Sequence, residues 1–122
     1  MTVFGRLVLL LCALATPLSP ALAEQAMTGD EIRAALQEAT VITPREGRPD
    51  IRQVFYPSGR TLYNDGRDSW GYWDVRGDAY CSQWPPSPAW VCYRMLTWQM
   101  DERQWVVWIG ESGTRYEAYI AR

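Results

Sequence analysis

The sequence predicts a mainly β fold: a seven- or eight-stranded antiparallel meander, curled into a small barrel or twisted sheet, with one N-terminal helix. Three observations predict it. A single stretch near the N-terminus repeats its apolar residues at helical spacing. From Ile51 onward the pattern switches to short runs of alternating, β-branched and aromatic residues. Those runs are separated by hairpin-length turn signals such as Pro57-Ser58-Gly59, Asp65-Gly66, Gly77-Asp78 and Glu111-Ser112-Gly113. Short strands so joined favour closure, because an open sheet leaves unpaired edges.

The chain opens with Arg6, the apolar stretch Leu7 to Ala15, helix-breaking Pro17 and Pro20, and the small-x-small pattern Ala21-Leu22-Ala23. These are the three regions of a secretory signal peptide, so residues 1–23 are expected to be removed and the mature chain to start at Glu24. The apolar stretch is too short to span a bilayer, and no stable membrane anchor is expected after cleavage. Residues 24–122 then form a single disulfide-stapled domain of about 100 residues. The expected location is the bacterial periplasm, or the extracellular space.

Within the domain, Thr28-Gly29-Asp30-Glu31 reads as a capping box. Ile32, Ala35, Leu36 and Ala39 follow on one helical face, which places a helix over about Asp30 to Ala39. Val41-Ile42-Thr43 reads as a short strand, followed by a loop from Pro44 to Asp50. Strands are then expected at Ile51–Tyr56, Arg60–Asn64, Trp70–Arg76, Ala79–Trp84, Trp90–Trp98, Gln104–Ile109 and Thr114–Ala121. Alternation along the third of these turns Gly71, Trp73 and Val75 inward and Trp70, Tyr72 and Asp74 outward.

Export removes Cys12 and leaves Cys81 and Cys92, which read as a structural disulfide closing a loop of about a dozen residues. The enclosed segment contains Pro85, Pro86 and Pro88. A redox or metal pair would need C-x-x-C spacing or a His partner, and the chain has no His.

The order of features resembles that of small exported proteobacterial proteins of unknown function, of the DUF995-like kind. The residues that carry the likeness are Thr28-Gly29-Asp30-Glu31-Ile32, Val41-Ile42-Thr43, Phe55-Tyr56-Pro57-Ser58-Gly59, Gly71-Tyr72-Trp73-Asp74-Val75, Gly77-Asp78, Tyr80-Cys81-Ser82-Gln83-Trp84 and Cys92-Tyr93. This resemblance implies a periplasmic β-protein and no particular activity. Ser112-Gly113-Thr114-Arg115-Tyr116 is in turn similar to the Ser-Gly-x-x-Tyr signature of periplasmic lysozyme inhibitors of the MliC/PliC kind. That likeness implies an inhibitory loop at Ser112, Gly113 and Tyr116.

Composition narrows the function classes. Loss of Arg6 leaves 11 of the 12 cations, all arginine, against 14 carboxylates, a net charge of about −3. A basic stripe for nucleic acid is missing. Without His, Lys or a free thiol, nucleophile–histidine, His-metal and Schiff-base chemistry have no carriers. The carboxylates Asp65, Asp68, Asp74, Asp78, Asp101 and Glu102 fall in or beside turns, where Asp bonds the local backbone. No enzyme, metal or cofactor is therefore expected. The outlying quantity is aromatic content: all seven Trp lie between Trp70 and Trp108. A core of this size holds three or four large aromatics, so the surplus is expected to form a contact surface. The candidate binding residues are Trp70, Tyr72, Trp84, Trp90, Arg94 and Trp108. The expectation is a non-catalytic periplasmic binding or interaction module that contacts a protein or envelope glycan through this Trp-rich face. The alternatives are inhibition of a lysozyme-type hydrolase through the Ser112-Gly113 tip, or carriage of a small apolar ligand inside the barrel.

Overall fold

The computed structural model describes residues 13–15 and 23–122. Apart from residues 13–15 and Ala23, the signal-peptide reading of residues 1–23, Cys12 included, lies outside the described residues. The elements are β1 (Gln25–Ala26), α1 (Gly29–Leu36), β2 (Thr40–Thr43), β3 (Ile51–Phe55), β4 (Arg60–Asn64), β5 (Asp68–Arg76), β6 (Ala79–Gln83), β7 (Trp90–Met100), β8 (Arg103–Ile109) and β9 (Arg115–Ala121).

Strands β2 to β9 pair each with the next, except that β2 and β9 close the ring across the two ends of the meander. Closure is antiparallel, with Thr40, Val41 and Ile42 opposite Ala121, Ile120 and Tyr119. The result is a closed eight-stranded antiparallel barrel with one extra strand. The added β1 is only two residues long, too short to show a periodicity. It pairs with Leu96 and Thr97 of the long strand β7, beyond the stretch where β6 pairs with Tyr93 to Trp90.

Helix α1 starts as the sequence predicts. Thr28 Oγ1 accepts from Glu31 N at 3.2 Å, and the Glu31 carboxylate accepts from Thr28 N at 3.3 Å, the reciprocal capping box. It ends at Leu36, earlier than Ala39, because tertiary bonds take over the last turn. Glu38 adopts φ 64 and its N–H donates to Phe55 O at 2.9 Å, while Phe55 N donates to Ala39 O at 3.0 Å. The helix packs on β5 and β6 at the end of the barrel formed by the β3–β4, β5–β6 and β7–β8 turns. Gly29 is required there: a Cβ at this position would lie 2.0 Å from Gly77 O. The neighbouring Asp78 side chain accepts from Gly29 N at 2.8 Å.

The core runs from this helix into the barrel. Ile32 and Leu36 meet Val41, Phe55, Trp73, Met95, Val106, Ala118 and Ile120 in one buried cluster. Alternation on β5 is as expected, with Gly71 and Trp73 buried and Trp70 and Tyr72 exposed. Trp73 Nε1 donates to Tyr56 O at 3.0 Å, which ties the Pro57-Ser58-Gly59 turn over the indole.

Candidate functional site

The opposite end of the barrel, ringed by the β2–β3, β4–β5, β6–β7 and β8–β9 connections, carries no helix. Here the interior opens into a cup of about 920 Å³. An eight-stranded barrel is just wide enough to be filled by side chains or to hold one small ligand, and this one does the first at one end and leaves room for the second at the other.

Tyr80, Ser82 and Trp108 form the floor of the cup, at 3%, 4% and 8% exposure. Phe55 joins the floor to the core: it meets Tyr80 edge-on at 5.9 Å between ring centroids and stacks on Trp108 at 6.3 Å. The walls are further rings held edge-to-face, Tyr63 on Trp84 at 5.9 Å and Tyr93 on Tyr116 at 6.2 Å. Offset and edge contacts of this kind hold rings in place beyond their simple burial. Trp84 lies over β5 because position 71 is glycine; a Cβ there would come within 2.6 Å of the indole. Trp84 Nε1 donates to Ser82 Oγ at 3.2 Å, which sets the tilt of the ring.

Polar groups share the cup with the rings: Thr43, Ser69 and Ser82 line it beside the phenols. Burial pushes the Tyr80 phenol well above its ordinary pKa, against the hydrogen-bonding side chains of Ser82 and Gln53, which favour ionisation. The Tyr93 phenol is also raised, first by burial and then by Tyr116. Both therefore stay neutral at physiological pH. Trp108 Nε1 is buried and has no hydrogen-bond partner. At the rim stand Asp68, Arg115 and Glu117. The Arg115 guanidinium pairs with the carboxylates of Glu24 and Glu117.

The disulfide predicted from sequence is present. Cys81 and Cys92 face each other directly across β6 and β7, with Cα atoms 4.0 Å apart. It clamps the base of the Trp84–Trp90 loop, whose Trp84 and Pro85 line the cup. Ser112 and Gly113 lie in the β8–β9 turn on the same rim. The turn is shaped by a Gly113 N to Gly110 O bond of 2.9 Å, Gly113 at φ 83 and a Ser112–Thr114 hydroxyl contact of 2.9 Å. Tyr116, one strand position in, lines the cup. The proline loop and the Ser-Gly tip, far apart in sequence, thus border one opening.

The six candidate binding residues do not share one face. Trp84 and Trp108 are inside the cup. Trp70 and Tyr72 are on the outer wall, where Arg60 lies 4.1 Å above the Trp70 ring and Tyr56 stacks on it at 5.9 Å; Trp70 also borders the mouth. Trp90 sits elsewhere on the outside beneath Arg76, 4.4 Å from its ring centroid, and Arg94 is exposed on β7. Tyr63, Tyr80, Tyr93 and Ser82 belong to the cup and were not singled out from sequence, although inward alternation from Trp73 places them, through the Trp73–Ser82 and Tyr80–Tyr93 pairs and, for Tyr63, through its pair with Ser69 on β5. A second aromatic group, Trp98, Trp105 and Tyr119, lies apart from the cup, with Trp98 and Trp105 stacked at 6.1 Å. Among the described residues no three His, Cys, Asp or Glu side chains gather as a metal site. The carboxylates at turns serve the backbone and neighbours, as Asp78 does for Gly29 and Asp68 for the Asn64 amide at 2.7 Å.

No family model, curated protein or solved structure matches this chain.

Proposed function

We propose that the protein is a non-catalytic binding protein, exported to the periplasm, which holds a small ligand in the aromatic cup at the open end of its barrel. The observation that carries this reading is the one-sided filling of the barrel: α1 and aliphatic side chains occupy one end, and the other keeps a cup of about 920 Å³ walled by rings. Small-molecule sites are concave and combine ring surface with fixed polar groups, as this cup does with its rings, phenols and Ser82. Uncharged floor residues and neutral phenols suit ligand retention better than chemistry. The Cys81–Cys92 staple across β6 and β7 fits an oxidising compartment.

The neutral dye N-phenyl-1-naphthylamine tests the reading by its fluorescence gain on transfer into an apolar site. One dye is expected to bind per chain. Thr43→Trp, which puts a large ring into the mouth from half-buried β2, is expected to weaken binding at least about ten-fold, the equivalent of 1.4 kcal/mol. Dye binding unaffected by Thr43→Trp, or no binding at all, would sink the proposal.

A second reading keeps the same rim and offers it to a protein. The Ser112-Gly113 turn is exposed beside the Trp84–Trp90 loop, as a tip entering the cleft of a lysozyme-type hydrolase would need. Inhibition of lysozyme that Ser112→Asp abolishes would favour this reading over the carrier.

A further inference from the structure

We infer that the ligand of the cup is a small organic cation, a methylated ammonium compound, held among the rings of Tyr63, Trp84, Tyr93 and Tyr116 beneath a rim of carboxylates. The inference rests on the cup being the binding site and names the ligand class from the composition, arrangement and charge of its lining. The aliphatic side chains of that lining are Ile51 and Pro85, and its other apolar members are Tyr and Trp. An alkyl chain would find few aliphatic partners there. A cation, by contrast, is attracted to the electron-rich faces of such rings, most strongly where water is displaced. Tyr63 and Trp84 meet at an interplanar angle of 75°, and Tyr93 and Tyr116 at 87°. Two rings at right angles form a corner, in which a cation can meet the faces of both. Tyr63, Trp84 and Tyr93 are half-buried and Tyr116 is exposed, so all four keep surface open to a ligand. The protein's own cations leave these rings free. Among the described residues, Arg60, Arg76 and Arg103 lie over Trp70, Trp90 and Tyr119, and no guanidinium lies over the four rings of the corners. Charge at the mouth acts in the same direction. Asp68 and Glu117 line it, and Glu24 joins them through Arg115, so three carboxylates stand against one guanidinium that is already paired. Asp68 bonds the neutral Asn64 amide rather than a cation. A primary ammonium is strongly hydrated, whereas a methylated one gives up little hydration on entering a ring-lined site.

Isothermal titration calorimetry of the purified protein with choline, 3,3-dimethyl-1-butanol and 3,3-dimethylbutyrate separates charge from shape. The alcohol matches choline with carbon in place of the charged nitrogen, and the butyrate carries the opposite charge. Methyl β-glucoside serves as a fourth probe, because rings and polar groups together can also hold a sugar. Choline is expected to bind about ten-fold more tightly than the alcohol, with the butyrate weakest. Tyr116→Leu keeps apolar bulk at an exposed position but removes a ring face, and should cut the choline-over-alcohol preference about three-fold. Asp68→Asn keeps an acceptor for the Asn64 amide and should cut it about two-fold. The order of the probes on the unaltered protein decides the matter without either variant. Equal or tighter binding of the alcohol, tightest binding of the butyrate or of the glucoside, or a preference untouched by Tyr116→Leu would overturn the inference while leaving the cup as a site. Failure of all four probes to bind a protein that still takes up N-phenyl-1-naphthylamine would overturn it as well. Failure of the dye too would overturn the cup itself.

Discussion

At the end of the barrel under α1, Ile32 and Leu36 are fully buried among Val41, Phe55 and Trp73; at the other end Tyr116 is 55% exposed and Val91 49%. Both ends are made by the same eight strands, so the backbone does not account for the contrast. Side-chain shape and one covering element do. Branched aliphatic residues on α1 drop into the barrel and fill it. At the mouth, rings fixed edge-to-face cannot collapse across the gap, and the hydrogen-bonded closure of the strands prevents the walls from moving together. Buried aliphatic packing closes the end under α1 and room for a ligand remains at the open end, a division that suits a binding protein.

Three perturbations test this division. The largest expected effect is at the plugged end. Leu36→Ala removes a fully buried side chain and should lower unfolding free energy by about 4 kcal/mol, read by denaturant titration. Dye binding at the mouth should be unchanged in conditions where the variant stays folded; coupled loss of both would argue against the division. Next, Cys81→Ser with Cys92→Ser should cost about 3 kcal/mol through loss of the loop constraint. Because this staple clamps the Trp84–Trp90 loop, it should weaken dye binding as well, unlike Leu36→Ala. The smallest effect concerns pH. Burial raises the phenols of Tyr80 and Tyr93 above their ordinary value of 10.0. The unfolded chain ionises them first, so their contribution is complete below about pH 10 and is lost as pH rises toward the folded values. A loss of about 1 kcal/mol by pH 11 is expected, and Tyr80→Phe should reduce it in the same denaturation experiment. An alkaline profile unchanged by Tyr80→Phe would contradict the buried phenol.

Most strands were legible because local signals mark their ends. Arg60–Asn64 falls between Pro57-Ser58-Gly59 and Asp65-Gly66, and the strand is found with those bounds. The β7–β8 hairpin was less legible. Its turn uses Asp101 and Glu102 at φ 53 and 61, left-handed positions for which Asn or Gly is the usual signal. Pairing of Met100 with Arg103 therefore runs further than the polar residues suggest. The aromatic surplus was visible, but its division between cup and outer wall was only partly so. Trp70 and Tyr72 followed from alternation on β5. Trp84 did not, because its place depends on Gly71, a residue on the neighbouring strand. The lysozyme-inhibitor likeness marked Ser112 and Gly113 without showing that their turn shares a rim with Pro85.

Local sequence sets where the chain turns, which residues alternate, the capping of α1 and the Cys81–Cys92 pair, since each depends on neighbours within a dozen or so positions. Tertiary structure alone decided that β2 meets β9 to close the ring, that Gly29 docks on Gly77-Asp78 so that α1 plugs one end, and that the mouth stays open. Those outcomes depend on partners dozens of residues apart. Hydrophobic periodicity reports which side of a strand is apolar and carries no record of what that side will face.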